Sequence, residues 1–351
     1  MRRCVPVLAA AAAAPTGASS AAVPQARPPG DLAWRPVPTG TGEQYRGLDA
    51  VDRRTAWVSG EDGGVLRTTD GGHTWDDVAP AGTEGMALRD VEAHDADRAS
   101  VLAIGTGTDS RIYTTTDGGA SWTLAFVNDR EEAFYDCMDF FAGGRRGLAL
   151  SDPVDGEFRI LETRDGGLSW SVVDADMPAA ADGEFAFAAS GTCLVTVGGR
   201  HAWFTTSDGD SRVFRSGDGG RTWQVSAAPI PATDAGGVFS LAFRNPRQGV
   251  AVGGDFLLPA DGSDTTGVTD DGGTTWVPGG DVAGYRSGVD WVSGAGGRTL
   301  VAVGPTGSDV SAHRGRTCRT FDDTAYDSVV CVGGGTCWAS GPDGAVATLR
   351  R

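Results

Sequence analysis

The sequence is short of positive charge. It carries 29 Lys+Arg against 46 Asp+Glu, a formal net charge of −17, which repels phosphate backbones and anionic membrane surfaces and argues against nucleic-acid binding. No run approaches the roughly 20 apolar residues of a transmembrane helix. Its 6 cysteines form no Cys-x-x-Cys pair and no metal-ligand spacing, and the four histidines, His73, His94, His201 and His313, are scattered. No glycine string follows a strand and opens a helix, which excludes a Rossmann nicotinamide or flavin site. No cofactor and no metal is therefore expected. Long helices are excluded too, because 54 Gly and 17 Pro among 351 residues interrupt the chain at one position in five. Against these absences, hydrophobic residues at 40% and charged residues at 21% supply a core and exclude wholesale disorder.

Met1-Arg2-Arg3, an apolar run from Val5 to Ala14 and small residues from Ala18 to Ala22 read as a secretory signal peptide over residues 1–22, followed by a short linker, 23–30. The expectation is a secreted or otherwise extracytoplasmic monomer. Five cysteines follow the leader, so at least one is unpaired. Cys331 and Cys337 flank Val-Gly-Gly-Gly-Thr, a hairpin tip across which a disulfide would form in an oxidising compartment. Buried thiols acting as small apolar side chains are the alternative.

One octapeptide, Ser/Thr-x-Asp-Gly-Gly-x-Ser/Thr-Trp, occurs five times, with its acid and tryptophan at Asp70 and Trp75, Asp117 and Trp122, Asp165 and Trp170, Asp218 and Trp223, and Asp271 and Trp276. The steps between tryptophans are 47, 48, 53 and 53 residues, the size of a four-stranded propeller blade. A worn sixth copy runs from Ser311 to Cys318, with His313 in the acid's place and Cys318 in the tryptophan's. The motif spells a tight hairpin: Asp accepts from local N–H groups, Gly-Gly takes backbone conformations other residues avoid, and Trp packs beneath.

Before each copy lies an apolar or alternating run that reads as a half-buried strand: Ala56–Gly60, Val101–Gly105, Gly147–Ser151, Leu194–Gly198, Gly249–Gly253 and Leu300–Gly304. A seventh, Cys337–Gly341, continues as an echo of the segment from Ala56 to Val65, yet no outer strand follows it. Ala33–Val37 resembles the strand after the first octapeptide, so the N-terminal strand closes the last blade. The reading is an all-β single domain over residues 31–351, a seven-bladed β-propeller; six blades and a tail is the alternative.

The five octapeptides are similar to the Asp box, or bacterial neuraminidase repeat. Their spacing and the seven-blade count make residues 31–351 resemble the photosystem II stability/assembly factor family of propellers. Segments such as Phe134–Phe140, Ser151–Gly156, Gly183–Cys193 and Arg286–Trp291 resemble a bacterial branch often labelled simply oxidoreductase. The resemblance implies a propeller fold and, from the assembly factors, a polypeptide client bound at an arginine patch; the label alone implies redox activity.

Propellers work at the channel mouth, near the start of each innermost strand. Those strands are expected to begin at Tyr45, Leu88, Phe134, Glu184, Val238, Tyr285 and Tyr326, which puts Arg46, Arg89 and Arg286 in one register on blades 1, 2 and 6, facing Asp136 and Glu184. Guanidinium groups gathered there would grip a carboxylate of a protein or peptide client. The structural alternative pairs each arginine with a neighbouring acid such as Asp49, Asp90 or Asp290. Three arginines also resemble a sialidase site, which needs a Tyr–Glu nucleophile pair, for which Tyr45 or Tyr285 with Glu184 are the candidates. The nearest string to the sialidase Arg-Ile-Pro signature is Arg159-Ile160-Leu161, with Leu in the place of Pro. The acidic strings at 207–210 and 261–264 lack the twelve-residue calcium-loop pattern and read as hairpin turns. The preferred expectation is a non-enzymatic binding module; a channel enzyme, glycosidase or oxidoreductase, is the alternative.

Overall fold

The computed structural model describes residues 32–207, 209–294 and 297–350; the leader and linker expected over 1–30 lie outside the described residues. The alternating runs form 28 strands in seven four-stranded antiparallel sheets. Among the described residues there is no α-helix, only 3-10 turns at Gly107–Asp109 and Gly333–Gly335. Blade 1 sets the pattern, with Tyr45–Ala50 innermost, then Ala56–Gly60, Val65–Thr68 and the rim strand Asp76–Asp77. Innermost strands of successive blades touch in order, and that of blade 7 (Ser328–Val332) returns to that of blade 1. Blade 7 takes its outer strand from the other end of the chain: Ala33–Pro36 pairs antiparallel with Val346–Arg350, Trp34 opposite Leu349. The ring thus has seven blades, and the seventh is completed to four strands like the others.

Side chains join the blades where the ladders stop. Trp57, Trp203 and Trp338, on the second strands of blades 1, 4 and 7, are buried. Each donates its indole N–H to a carbonyl of the next blade: Asp95 at 3.2 Å, Gly272 at 2.9 Å and Asp52 at 3.1 Å. On the innermost strands carboxylates do the same with backbone N–H groups. Asp49 accepts from Ala93 of blade 2 at 2.7 Å, Asp90 from Met138 of blade 3 at 2.6 Å, Asp139 from Thr196 of blade 4 at 2.5 Å and Asp290 from Cys331 of blade 7 at 2.7 Å. A buried N–H without a partner costs about 1–3 kcal/mol, so these acids fasten neighbouring blades and are not partners for the mouth arginines.

The octapeptides close the outer hairpins by local bonds. Asp70 Oδ1 accepts from the N–H groups of His73 and Thr74 at 2.9 and 3.0 Å, and Oδ2 from Thr74 Oγ1 at 2.8 Å; these bonds hold its carboxyl down to about 2. Both glycines sit at positive φ, +84° and +79° at Gly71 and Gly72, where a side chain is strained. In the worn copy His313 Nδ1 stands 3.0 Å from Thr317 Oγ1, taking the carboxylate's place, and Cys318 Sγ lies 4.0 Å from the Gly315 carbonyl, the counterpart of the carbonyl that Trp170 and Trp223 reach with their indoles. The free thiol of Cys318 is pushed up to about 11 by burial.

Blade 4 departs from the expected register. Its innermost strand is Leu194–Val197 and its second is His201–Thr206, whereas the sequence pattern put Glu184–Phe187 innermost and Leu194–Gly198 second. The Gly198-Gly199 turn allows a tight hairpin that pairs Leu194 with Phe204. Of the upstream segment only Phe185 keeps a bridge, to Ser207. Residues 186–193 are left outside the ladder and cross the channel.

Candidate functional site

On blades 1, 2 and 3 the innermost strand is irregular near its start: the register shifts between Tyr45 and Gly47, between Leu88 and Asp90, and between Tyr135 and Cys137. The residues in those gaps are Arg46, Arg89 and Asp136, and a bulge re-aims its side chain. Arg46 and Arg89 line one mouth pocket of about 270 Å3, room for a side chain or two. Its walls are aromatic: Phe187 packs edge-on to Phe239 at 4.7 Å, and Phe239 edge-on to Tyr285 at 5.4 Å. Ser287 and Phe256 complete it.

Glu61, one residue beyond the second strand of blade 1, holds both guanidinium groups. Its Oε1 accepts from Arg46 Nε at 2.5 Å and its Oε2 from Arg89 at 3.1 Å. Asp327 of blade 7 lies 3.5 Å from Arg46. On the opposite edge the Ala189 carbonyl accepts from Arg46 at 3.3 Å and the Ala188 carbonyl from Arg89 at 3.1 Å. Burial opposes the Arg46 charge, but Asp327 and Glu61 outweigh it and raise its pKa. Burial and the adjacent Arg46 lower that of Arg89. Arg89 Nε is buried with no partner among the described residues.

The structure does not bring the other three expected residues into this arrangement. Arg286 is wholly buried within blade 6, donating Nε and a terminal nitrogen to Asp309 at 2.7 and 2.5 Å and the other terminal nitrogen to Thr306 Oγ1 at 2.8 Å. A buried carboxylate on the third strand has drawn it out of the mouth, and Tyr285 lines the pocket instead. Glu184 is bound within blade 4 by Arg212, at 2.7 and 2.5 Å, by Thr206 Oγ1 and by the Ala181 N–H at 2.8 Å. Neither Tyr45 nor Tyr285 is among its partners, so the Tyr–Glu pair of a sialidase is not assembled; Tyr45 instead bonds Thr41 at 2.8 Å. Asp136 is buried with one unpartnered oxygen. Burial and the Asp152 charge push its carboxyl well above the usual range, against the pull of Arg89.

Below residues 186–193 lies a second space of about 210 Å3, lined in part by Asp49, Glu92, Asp139 and Asp290. Desolvation pushes Asp49 up to about 6 and Asp139 and Asp290 up to about 7. Among the described residues two disulfides are present. Cys331 and Cys337 face each other across the blade 7 hairpin, and Cys137 joins the innermost strand of blade 3 to Cys193. The second pairing has no local signature, since its cysteines lie 56 residues apart. Glu61 and Phe256 also stand outside any repeat, whereas Phe239 occupies on blade 5 the register that Arg46 and Arg89 hold on blades 1 and 2. The two 53-residue steps were the one signal of Phe187 and Phe256: the extra length in blade 4 is the crossing segment, and in blade 5 it is the loop beginning at Phe256.

The fold is a seven-bladed β-propeller with a divided channel and an arginine-floored, aromatic-walled mouth. No protein-family model and no curated protein matches the chain. Among solved structures, YCF48 bound to D1 peptide is similar with a TM-score of 0.61 at 14% identity, over 90% of this chain and 96% of that one. YCF48 from Cyanidioschyzon merolae gives 0.61 at 18% identity, over 90% and 98%. The WD40 propeller domain of Doa1 gives 0.59 at 13%, over 91% and 97%. An ancestral GH74 enzyme gives 0.58 at 14%, with 88% of this chain matching 45% of that one. At such identities the likeness is one of fold.

Proposed function

We propose that this chain is an exported, non-enzymatic Asp-box propeller that holds a polypeptide client at its channel mouth, in the manner of an assembly factor. The observation that carries the reading is the mouth itself. Two guanidinium groups form the floor of an aromatic pocket, and beside it Phe256, Leu257 and Leu258 stand 49%, 71% and 58% exposed. Such consecutive exposure marks a contact surface. Local bonds shape the loop: Asp255 accepts from the Leu257 N–H through its carboxylate at 2.8 Å and from the Leu258 N–H through its carbonyl at 3.0 Å. A client with an acidic residue beside apolar ones fits both parts, its carboxylate on Arg46 and Arg89 and its apolar side chains on the loop. The likeness to YCF48 bound to D1 peptide supports a peptide as the kind of ligand.

Fluorescence anisotropy with labelled decapeptides tests this, using one Glu flanked by Phe and Leu against the same peptides with Lys for Glu. The acidic set should bind at least tenfold tighter, and Arg46→Ala with Arg89→Ala should abolish the difference. Leu257→Ser with Leu258→Ser should weaken both sets. Equal binding of the two sets, or no effect of the arginine variant, overturns the arginine-floor reading.

A further inference from the structure

Residues 186–193 touch five blades besides their own. From blade 4 the segment reaches blades 1 and 2 through the Ala189 and Ala188 carbonyls on Arg46 and Arg89. Ser190 Oγ donates to the Ser287 carbonyl of blade 6 at 2.7 Å. Thr192 Oγ1 lies 2.6 Å from Ser240 Oγ of blade 5, and its carbonyl accepts from the Leu241 N–H at 3.0 Å. At the N-terminal end the Ala186 N–H is taken by Asp152 of blade 3 at 2.8 Å, and at the C-terminal end Cys193 is bonded to Cys137 of the same blade. Gly191 makes the crossing possible: φ is +78°, and a Cβ there would stand 2.4 Å from an Asp90 carboxylate oxygen. The first half of the segment lines the mouth pocket and the second half lines the acid-walled space beneath it.

We infer that residues 186–193 form a fixed septum, locked to blade 3 by the Cys137–Cys193 disulfide, which separates the two halves of the channel and positions the guanidinium groups of the mouth. The arginines are long and rotatable; Glu61 holds one side of each, and the septum's carbonyls hold the other, joined at Arg46 by Asp327. With both edges held, the pair presents one orientation to a ligand, which lowers the ordering cost of binding. The septum also makes the mouth a blind pocket, so a client is held against the face and does not thread the ring. Both cysteines are fully buried, and cross-linking positions 56 residues apart restrains the segment without occupying either space. The positioning role rests on the proposed mouth site; the lock does not.

The test is hydrogen exchange by mass spectrometry on the full chain, comparing wild type with Cys137→Ala plus Cys193→Ala, with blade strands as internal reference. Exchange across 186–193 and at Leu241 should quicken at least tenfold while the second strands stay protected, and affinity for the acidic decapeptide should fall at least fivefold. A folded double variant whose septum exchanges within twofold of wild type overturns the lock. Should that variant not fold, Cys137→Val plus Cys193→Ala, which removes the bond while keeping more of the buried volume, takes its place with the same exchange criterion. Faster exchange at unchanged peptide affinity overturns the positioning role. A wild-type protein that binds no decapeptide overturns the mouth reading, while the exchange result still decides the lock.

Discussion

At the scale of single residues, the octapeptide hairpins separate what a side chain does from what it is. Five copies hold Thr or Ser with an aspartate; the sixth does the same work with His313, and where the others place the first glycine it has Arg314 at a φ of +60°. A non-glycine residue in that conformation is strained by about 1–2 kcal/mol, partly offset by the greater freedom glycine has when unfolded. The exposed ion pair from Arg314 to Asp270, at 3.6 Å, returns little. Arg314→Gly should therefore raise stability by about 0.5–1 kcal/mol, a rise of roughly 1–3 °C in Tm by calorimetry. A fall would show that the ion pair outweighs the backbone. Such hairpins were legible in the sequence because their bonds run between residues no more than four apart, so a short string carries all the partners. Arg46 and Arg89 were legible as channel residues for a related reason: the register of a strand fixes which way they start. Where they finish was not legible, since Glu61 belongs to a different hairpin and no repeat marks it. The same gap hid the fate of Arg286, whose register matches but whose buried partner, Asp309, lies 23 residues on.

Among elements, the blades are joined chiefly by second-strand tryptophans and inner-strand carboxylates. Trp203 stacks on Phe243 of blade 5 at 3.8 Å with an interplanar angle of 9° and is 2% exposed. Removing it takes away that ring contact and leaves the Gly272 carbonyl without its donor. Trp203→Ala should cost about 3–5 kcal/mol in urea unfolding; a loss under 1 kcal/mol would show that the blades pack independently of this contact. The strand pattern itself was readable wherever apolar runs sit between octapeptides at regular spacing. It failed in blade 4 because the period-two signal of Leu194–Val197 is the same for an innermost and a second strand. Only the pairing partner distinguishes them, and Gly198-Gly199 supplies a partner too close in sequence for the repeat to anticipate. The septum and its disulfide follow from that one displacement.

For the whole molecule, two sets of carboxylates pull stability in opposite directions with pH. The hairpin acids Asp70, Asp117, Asp165, Asp218 and Asp271 are held below their usual range; their contribution is present above the unfolded value of 3.8 and is lost as pH falls through their folded values. The channel acids are the reverse: Asp139, Asp152 and Asp290 are pushed up to about 7 by burial and Asp49 to about 6. Between pH 4 and pH 7 the folded protein therefore binds more protons at these sites than the unfolded chain does, and stability declines as pH rises through that interval. Tm should be highest near pH 4–5 and fall toward pH 8, levelling once the channel acids are ionised. A Tm that climbs steadily from pH 5 to pH 8 would mean that the backbone N–H groups bonded to these carboxylates outweigh their desolvation.

The closure of blade 7 has a further consequence, for the order in which the molecule can be made. Ala33–Pro36 leaves the ribosome ahead of blades 1 to 6, yet the strand it pairs with, Val346–Arg350, emerges only after them. Each of blades 1 to 6 can complete its sheet as its own residues appear, whereas the first strand must wait through the synthesis of the rest. Trp34, 7% exposed in the finished ring, spends that interval without its burial site. Ring closure is thus a single late event of long sequence separation, the kind of contact that forms slowly, and the nascent chain carries an unsatisfied strand ahead of blade 1 until the moment it becomes a circle.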